Sequence, residues 1–209
     1  MPANYNKTAW FYDGLSTLVY GRSLINAQGY LLKYIQPYSH ILIIGGGTGI
    51  ILESIAKKHP GSLSITYVEV AEKMITRARK RNTGGNKINF VHSAIEDVDT
   101  PGEFDIVITP FLFDNYSDEV LKTMVPHISR QLKPGGLWLN TDFQFTGKWW
   151  QWLLLKGMYA FFKLFSDIPT SRIPDIKQCL SKAGCQLIEE KDFYSGFVQT
   201  QAWRKALNS

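Results

Sequence analysis

The run His40-Ile41-Leu42-Ile43-Ile44-Gly45-Gly46-Gly47-Thr48-Gly49-Ile50 decides how the rest of this 209-residue chain is read. Ile41 to Ile44 are consecutive aliphatic residues, mostly β-branched, the composition of a strand buried on both faces. Four glycines and a threonine follow, and from Ile50 to Lys58 apolar positions recur at helical spacing. Strand, glycine turn and helix open a nucleotide-binding βαβ unit. Residues without a side chain let the backbone turn tightly and approach a ligand closely. Glu69 lies 20 residues past Gly49, at the end of the next apolar run (Leu63, Ile65, Tyr67, Val68). There a carboxylate can accept hydrogen bonds from both hydroxyls of a ribose.

Glycine spacing then separates two cofactors. A dinucleotide fingerprint needs glycine at its first, third and sixth positions, and counted from Gly45 the sixth is Ile50. The pattern G-x-G-x-G is satisfied by Gly45, Gly47 and Gly49. Downstream, Leu132-Lys133-Pro134-Gly135-Gly136 precedes the apolar Leu137-Trp138-Leu139-Asn140. On these motifs the chain resembles the class I S-adenosylmethionine-dependent methyltransferases over roughly residues 38–142.

The resemblance implies an α/β, Rossmann-like seven-stranded methyltransferase fold. Its sheet would be mostly parallel and doubly wound, with an antiparallel C-terminal hairpin strand, N-terminal helices and a helical insert after strand five. It also implies S-adenosylmethionine as cofactor and S-adenosylhomocysteine as product. Gly45, Gly46, Gly47, Thr48 and Gly49 would cradle it, Glu69 and Val70 would meet the ribose end, and Met74 would press on the adenine. Ser93, Ala94 and Ile95 would form the far wall of the adenine slot. Thr109 and Pro110 would border the cleft, and Tyr12 would close over it. The pair Tyr12-Asp13 with Tyr20-Gly21-Arg22 is similar to the leader of methyltransferases acting on quinones or phospholipids.

In chain order, one domain divides into an N-terminal helical lid (1–37), a cofactor-binding core (38–142), an aromatic helical insert (143–170) and a C-terminal helix and strand pair (171–209). Within the core, a helix is expected from Ala71 to about Arg81, its Lys73, Arg77, Arg79, Lys80 and Arg81 forming a solvated face. Strands follow at Ile88–Val91 and Phe104–Ile108. The helix from Ser117 is expected to run to Leu132, with Pro134 and the glycines after it turning the chain back onto the sheet. In the insert, Trp149, Trp150, Trp152, Leu153, Leu154 and Leu155 lead a crowd of apolar residues spaced by Lys148, Lys156 and Lys163. A span needs about 20 uninterrupted residues, so this block reads as a lid helix that also shapes an apolar pocket, with an interfacial membrane contact as the other use of such residues.

Composition narrows the classes further. The chain is 44% hydrophobic and 20% charged, with a net charge of +5, a mildly basic globular balance. The basic residues do not form a nucleic-acid footprint, the start lacks a secretory signal, and a cytoplasmic location is expected. Cys179 and Cys185 make neither a disulfide framework nor a metal motif, and the four histidines are scattered.

The cofactor's sulfonium already activates the methyl group, so the protein's task is to align a nucleophile. A base is needed only for a nucleophile protonated at neutral pH; Asp114, Asp142 and Tyr12 are the candidates. The acceptor is expected to be a small, lipophilic molecule. Thr109-Pro110-Phe111-Leu112 lacks the Asn and Tyr of the N-P-P-Y pattern, which argues against a nucleobase or amide. Ile43 stands where many methyltransferases carry an acid. It leaves open a non-catalytic partner protein or a spermidine-synthase-like aminopropyltransferase; an NAD-dependent oxidoreductase is a further alternative, disfavoured by Ile50.

Overall fold

The computed structural model describes residues 22–165 and 173–207. Tyr12 and residues 1–21 of the N-terminal lid lie outside the described residues. The elements are α1 (Ser23–Leu31), β1 (His40–Ile44), α2 (Ile50–Lys58), β2 (Gly61–Glu69), α3 (Glu72–Ala78), β3 (Gly85–His92), β4 (Phe104–Pro110), α4 (Asp118–Gln131), β5 (Leu132–Phe143), α5 (Trp149–Phe165), α6 (Ile176–Lys182), β6 (Cys185–Phe193) and β7 (Val198–Lys205).

The seven strands form one sheet in the order β3-β2-β1-β4-β5-β7-β6. β1 to β5 pair in parallel, and β7 runs antiparallel between β5 and β6. The chain leaves β1 toward β3, then returns to β4 on the other side. The strand order therefore reverses between β1 and β4, where open α/β sheets bind ligands beyond the strands' carboxyl ends.

Alternation along each strand divides the core. Leu42, Ile44, Val107 and Trp138 face Leu121, Met124, Val125 and Ile128 of α4 and Leu180 of α6. Ile41, Ile43, Ile65, Ile106 and Ile108 face the other way, onto Leu31 of α1 and Ile51, Leu52 and Ile55 of α2. Burial on both faces is why β1 and β4 read as unbroken apolar runs.

Two sequence expectations change. First, α4 ends at Gln131 and β5 already begins at Leu132. Phe104 pairs with Leu132, and two residues later Ile106 pairs with Leu137. Lys133-Pro134-Gly135-Gly136 is thus an irregularity inside the strand rather than a turn before it; Gly135 adopts φ +75° to make it. The α4 carboxyl end is capped from elsewhere. The buried Lys205 of β7 donates to the carbonyls of Ser129 (2.8 Å) and Leu132 (2.9 Å), a cation placed at a helix C-terminus.

Second, α3 stops at Ala78, and the basic residues after it are not simply solvated. Arg81 donates to the Thr48 carbonyl (2.9 Å) and pairs with Glu53 (3.3 Å), while Arg79 lies 4.8 Å over the Phe90 ring.

Candidate cofactor and acceptor site

At the end of β1 the main chain takes left-handed conformations at Gly45 (φ +68°), Gly47 (φ +60°) and Gly49 (φ +82°), which side chains resist. The glycines serve different neighbours. A Cβ on Gly46 would lie 2.5 Å from the Tyr67 ring, and one on Gly49 would lie 2.8 Å from the Ala78 backbone, so these two let β2 and α3 close in. A Cβ on Gly45 would meet Leu112 at 2.8 Å. At Gly47 a Cβ would meet nothing within 4 Å. Only there does the turn border open space.

Both polar groups of Gly47 are held by β2. Its N–H donates to Glu69 Oε2 (3.1 Å), and its carbonyl accepts from the Tyr67 hydroxyl (2.9 Å). Glu69 Oε1 accepts the Ala71 N–H at 2.9 Å. The Glu69 side chain is enclosed (6% exposed), and burial raises its pKa against the main-chain N–H groups of Ala71, Gly47 and Val70, which lower it. A carboxylate offers about four acceptor positions, so three donors leave one for a ligand hydroxyl. An open glycine face beside an anchored acid fits the ribose and methionine portions of S-adenosylmethionine.

The remaining expected cofactor residues divide. Met74 is buried at the start of α3. The Val70 carbonyl is engaged by His92 Nε2 at 3.0 Å. The Ser93 hydroxyl donates to the Ala94 carbonyl (3.0 Å), and Ile95 turns its side chain into the core while its carbonyl meets His127 Nε2 (3.0 Å). The main chain of this segment follows the end of β3, next to Glu69 in the sheet register, where Glu69 pairs with His92. Thr109 is not presented to a ligand: fully buried, it donates to Asn140 Oδ1 (2.9 Å) and accepts from Trp138 Nε1 (3.0 Å). Thr48 is buried too, its carbonyl taken by Arg81.

Across the cleft, the loop after β4 is held tightly. Phe111 sits at φ +53°, a strained conformation for an aromatic residue, and donates its N–H to the Thr141 carbonyl at 2.7 Å. Asp114 and Asp142, proposed from sequence as bases, are both buried and hydrogen-bonded to each other. Asp142 accepts the N–H groups of Phe113 and Phe143, each at 2.9 Å, and Asn115 donates to Asp114 at 2.8 Å. Burial pushes both carboxyls up, Asp114 furthest because the Asp142 charge adds to it. The pair holds a proton between its carboxyls, and the two N–H groups that Asp142 accepts favour Asp142 as its acceptor.

Sequence reasoning passed over Tyr116. It is partly buried against the core cluster that holds Val68 and Ile95, and burial first, then the charges of Glu96 and Glu69, raise its phenol pKa. Its signal was position alone, an aromatic hydroxyl in the loop leaving β4. Among the described residues, no group of three metal-ligating side chains gathers.

The topology and this cleft define a Rossmann-like methyltransferase fold. Residues 41–136 match the family described as "Methyltransferase domain". The chain is 28% identical over 140 residues to malonyl-[acyl-carrier protein] O-methyltransferase 2 of Ilyobacter polytropus, covering 67% of this chain and 52% of that one. It thus spans about half the length of that relative. Among solved structures, Burkholderia thailandensis 1,6-didemethyltoxoflavin-N1-methyltransferase with bound S-adenosylhomocysteine superposes with a TM-score of 0.67 at 14% identity, over 95% of this chain and 85% of that one. The cyclopropane synthase MmaA2 of Mycobacterium tuberculosis gives a TM-score of 0.67 at 11% identity, over 87% and 84%.

Proposed function

We propose that this chain is an S-adenosylmethionine-dependent methyltransferase acting on a small, lipophilic acceptor. The observation that carries the cofactor half is Gly47: it alone in the glycine turn faces open space, and Glu69 anchors it. The open face at Gly47 would let the methionine end lie close against the main chain of the turn, and Glu69 would accept from the ribose. The bound cofactor supplies a methyl group made electrophilic by its sulfonium.

The acceptor half rests on an aromatic path beside the cleft. Phe111 packs on Phe143 (ring centroids 5.0 Å), Phe143 on Phe197 (5.1 Å), and Phe197 on Trp150 of α5 (5.8 Å). Phe143 and Phe197 are buried in the core, so the half-buried Phe111 and Trp150 at the two ends of the path are what would face an apolar partner. On this reading the described start of the insert, with Phe143 and Trp150, belongs to the same domain and to its acceptor side. Asp114 and Asp142 act as positioning residues: their shared proton and the two N–H groups on Asp142 fix the loop that carries Phe111 and Tyr116. Proximity and orientation supply the rate.

Incubation with cofactor labelled at the methyl carbon, then with separated lipid and aqueous extracts, tests the reading. Label entering a component of the lipid extract supports it. Label entering only polar products overturns the lipophilic acceptor, and no transfer into either extract speaks against a methyltransferase.

A further inference from the structure

α5 is apolar on two faces, and among the described residues one of them packs against the fold. Trp150 packs edge-on against Tyr194 and Phe197 (both 5.8 Å), and Leu154 and Leu155 join the cluster around Phe143 and Val198. The opposite face carries Trp149, Trp152, Leu153 and Lys156, at the i, i+3, i+4, i+7 spacing of a single stripe. Here Trp149 is 75% exposed, Trp152 49% and Leu153 53%, and Phe145 just before the helix adds another half-exposed ring at 49%. Apolar residues gathered in this way on an open surface mark an interaction site.

Charge states the partner. From Phe143 to Ser166 the sequence contains no Asp or Glu but has Lys148, Lys156 and Lys163. Lys156 Nζ stands 3.9 Å over the Trp152 ring, so cation and indole occupy one level of the stripe. Lys148 lies at the helix entrance, donating to the Ser195 carbonyl at 2.8 Å.

We propose that this face of α5 seats the protein on an anionic lipid bilayer. Trp149, Trp152, Leu153 and Phe145 enter the boundary between headgroups and acyl chains, where amphipathic indoles are favoured, and Lys148 and Lys156 meet lipid phosphates. The contact is peripheral, since no helix among the described residues is long and apolar enough to cross a membrane. A second copy fits less well, because a symmetric contact through this stripe would oppose lysine to lysine. The inference concerns where the protein sits and does not depend on methyl transfer.

The test is cosedimentation of the full chain with vesicles of phosphatidylcholine alone or mixed with phosphatidylglycerol. The wild type pellets with the mixed vesicles and is released by salt. Trp149→Ser combined with Trp152→Ser lowers the partition coefficient by roughly tenfold or more. Lys156→Glu, a change at an exposed side chain, lowers it by about fivefold or more. Near-ultraviolet circular dichroism checks that each variant keeps its fold. Protein left in the supernatant with mixed vesicles, equal binding to neutral ones, or both variants pelleting like the wild type overturns the proposal. So does a dimer in analytical ultracentrifugation that the tryptophan changes dissolve.

Discussion

Glu69 and Tyr67, two residues apart on β2, hold opposite ends of one residue: the Gly47 N–H meets the Glu69 carboxylate at 3.1 Å and the Gly47 carbonyl meets the Tyr67 hydroxyl at 2.9 Å. The second strand thereby fixes the turn that the first strand begins. Glu69→Gln replaces one acceptor oxygen with an amide that opposes main-chain N–H groups. We expect a loss of about 1–3 kcal/mol in both folding stability and S-adenosylhomocysteine affinity, read by calorimetric melting and titration. Tyr67→Phe, removing one neutral hydrogen bond, should cost about 0.5–1.5 kcal/mol of stability.

Gly46 and Gly47 should respond to alanine for different reasons. Gly46→Ala drives a Cβ to 2.5 Å from the Tyr67 ring, so its melting temperature falls through overpacking, by about 1–3 kcal/mol of stability. Gly47→Ala has room in the folded chain and costs about 1–2 kcal/mol for its left-handed backbone. Its larger effect is on cofactor binding, where the new methyl occupies the open face. Equal cofactor affinity in the Gly47→Ala variant and the wild type would count against the cradle.

The two buried aspartates predict an asymmetry. Asp114→Asn keeps a donor toward Asp142 and an acceptor for Asn115, so it should fold nearly as well as the wild type. Asp142→Asn sets an amide against one of the N–H groups of Phe113 and Phe143 and should cost about 1–3 kcal/mol. Urea unfolding of the two variants measures the difference.

The same pair sets a pH dependence. Burial raises Asp142 to about 7, and Asp114 is raised well above its ordinary value. The folded chain therefore holds protons that the unfolded chain has released above about pH 4. This contribution is fully present at acid pH and is lost as the pH rises through neutrality, by up to about 1.4 kcal/mol per pH unit for each proton. Melting temperatures between pH 5 and pH 8 should fall more steeply in the wild type than in Asp114→Asn. Parallel curves would contradict the shared proton.

Lys205 offers a fourth check, away from the cleft. Its buried ammonium caps α4 through two carbonyls, and Lys205→Met should cost about 1–3 kcal/mol without altering cofactor affinity. A variant as stable as the wild type would show the cap to be dispensable.

Much of this fold could be read in advance because its signals are local. Unbroken runs such as Ile41–Ile44 announce strands covered on both sides, and Ile50–Lys58 formed the helix that its periodicity predicted. The Lys133–Gly136 segment was misplaced because Pro and Gly signal interrupted structure, whereas the pairing of Phe104 with Leu132 is a long-range choice. The candidate site could be nominated from sequence where main-chain geometry dictates residue type, at Gly47 and Glu69. It was illegible where partners come from distant strands. Thr109 looked like a cleft residue until Trp138 and Asn140 claimed its hydroxyl. The Asp114–Asp142 pair has no sequence pattern, since burial creates its shifted protonation.

The most direct test is isothermal titration of the full chain with S-adenosylhomocysteine. The account predicts saturable heat with one site per chain and a Kd between roughly 1 μM and 1 mM, weakened by both Glu69→Gln and Gly47→Ala. A wild-type protein that is folded yet produces no binding heat, or variants that bind as tightly as the wild type, would contradict it.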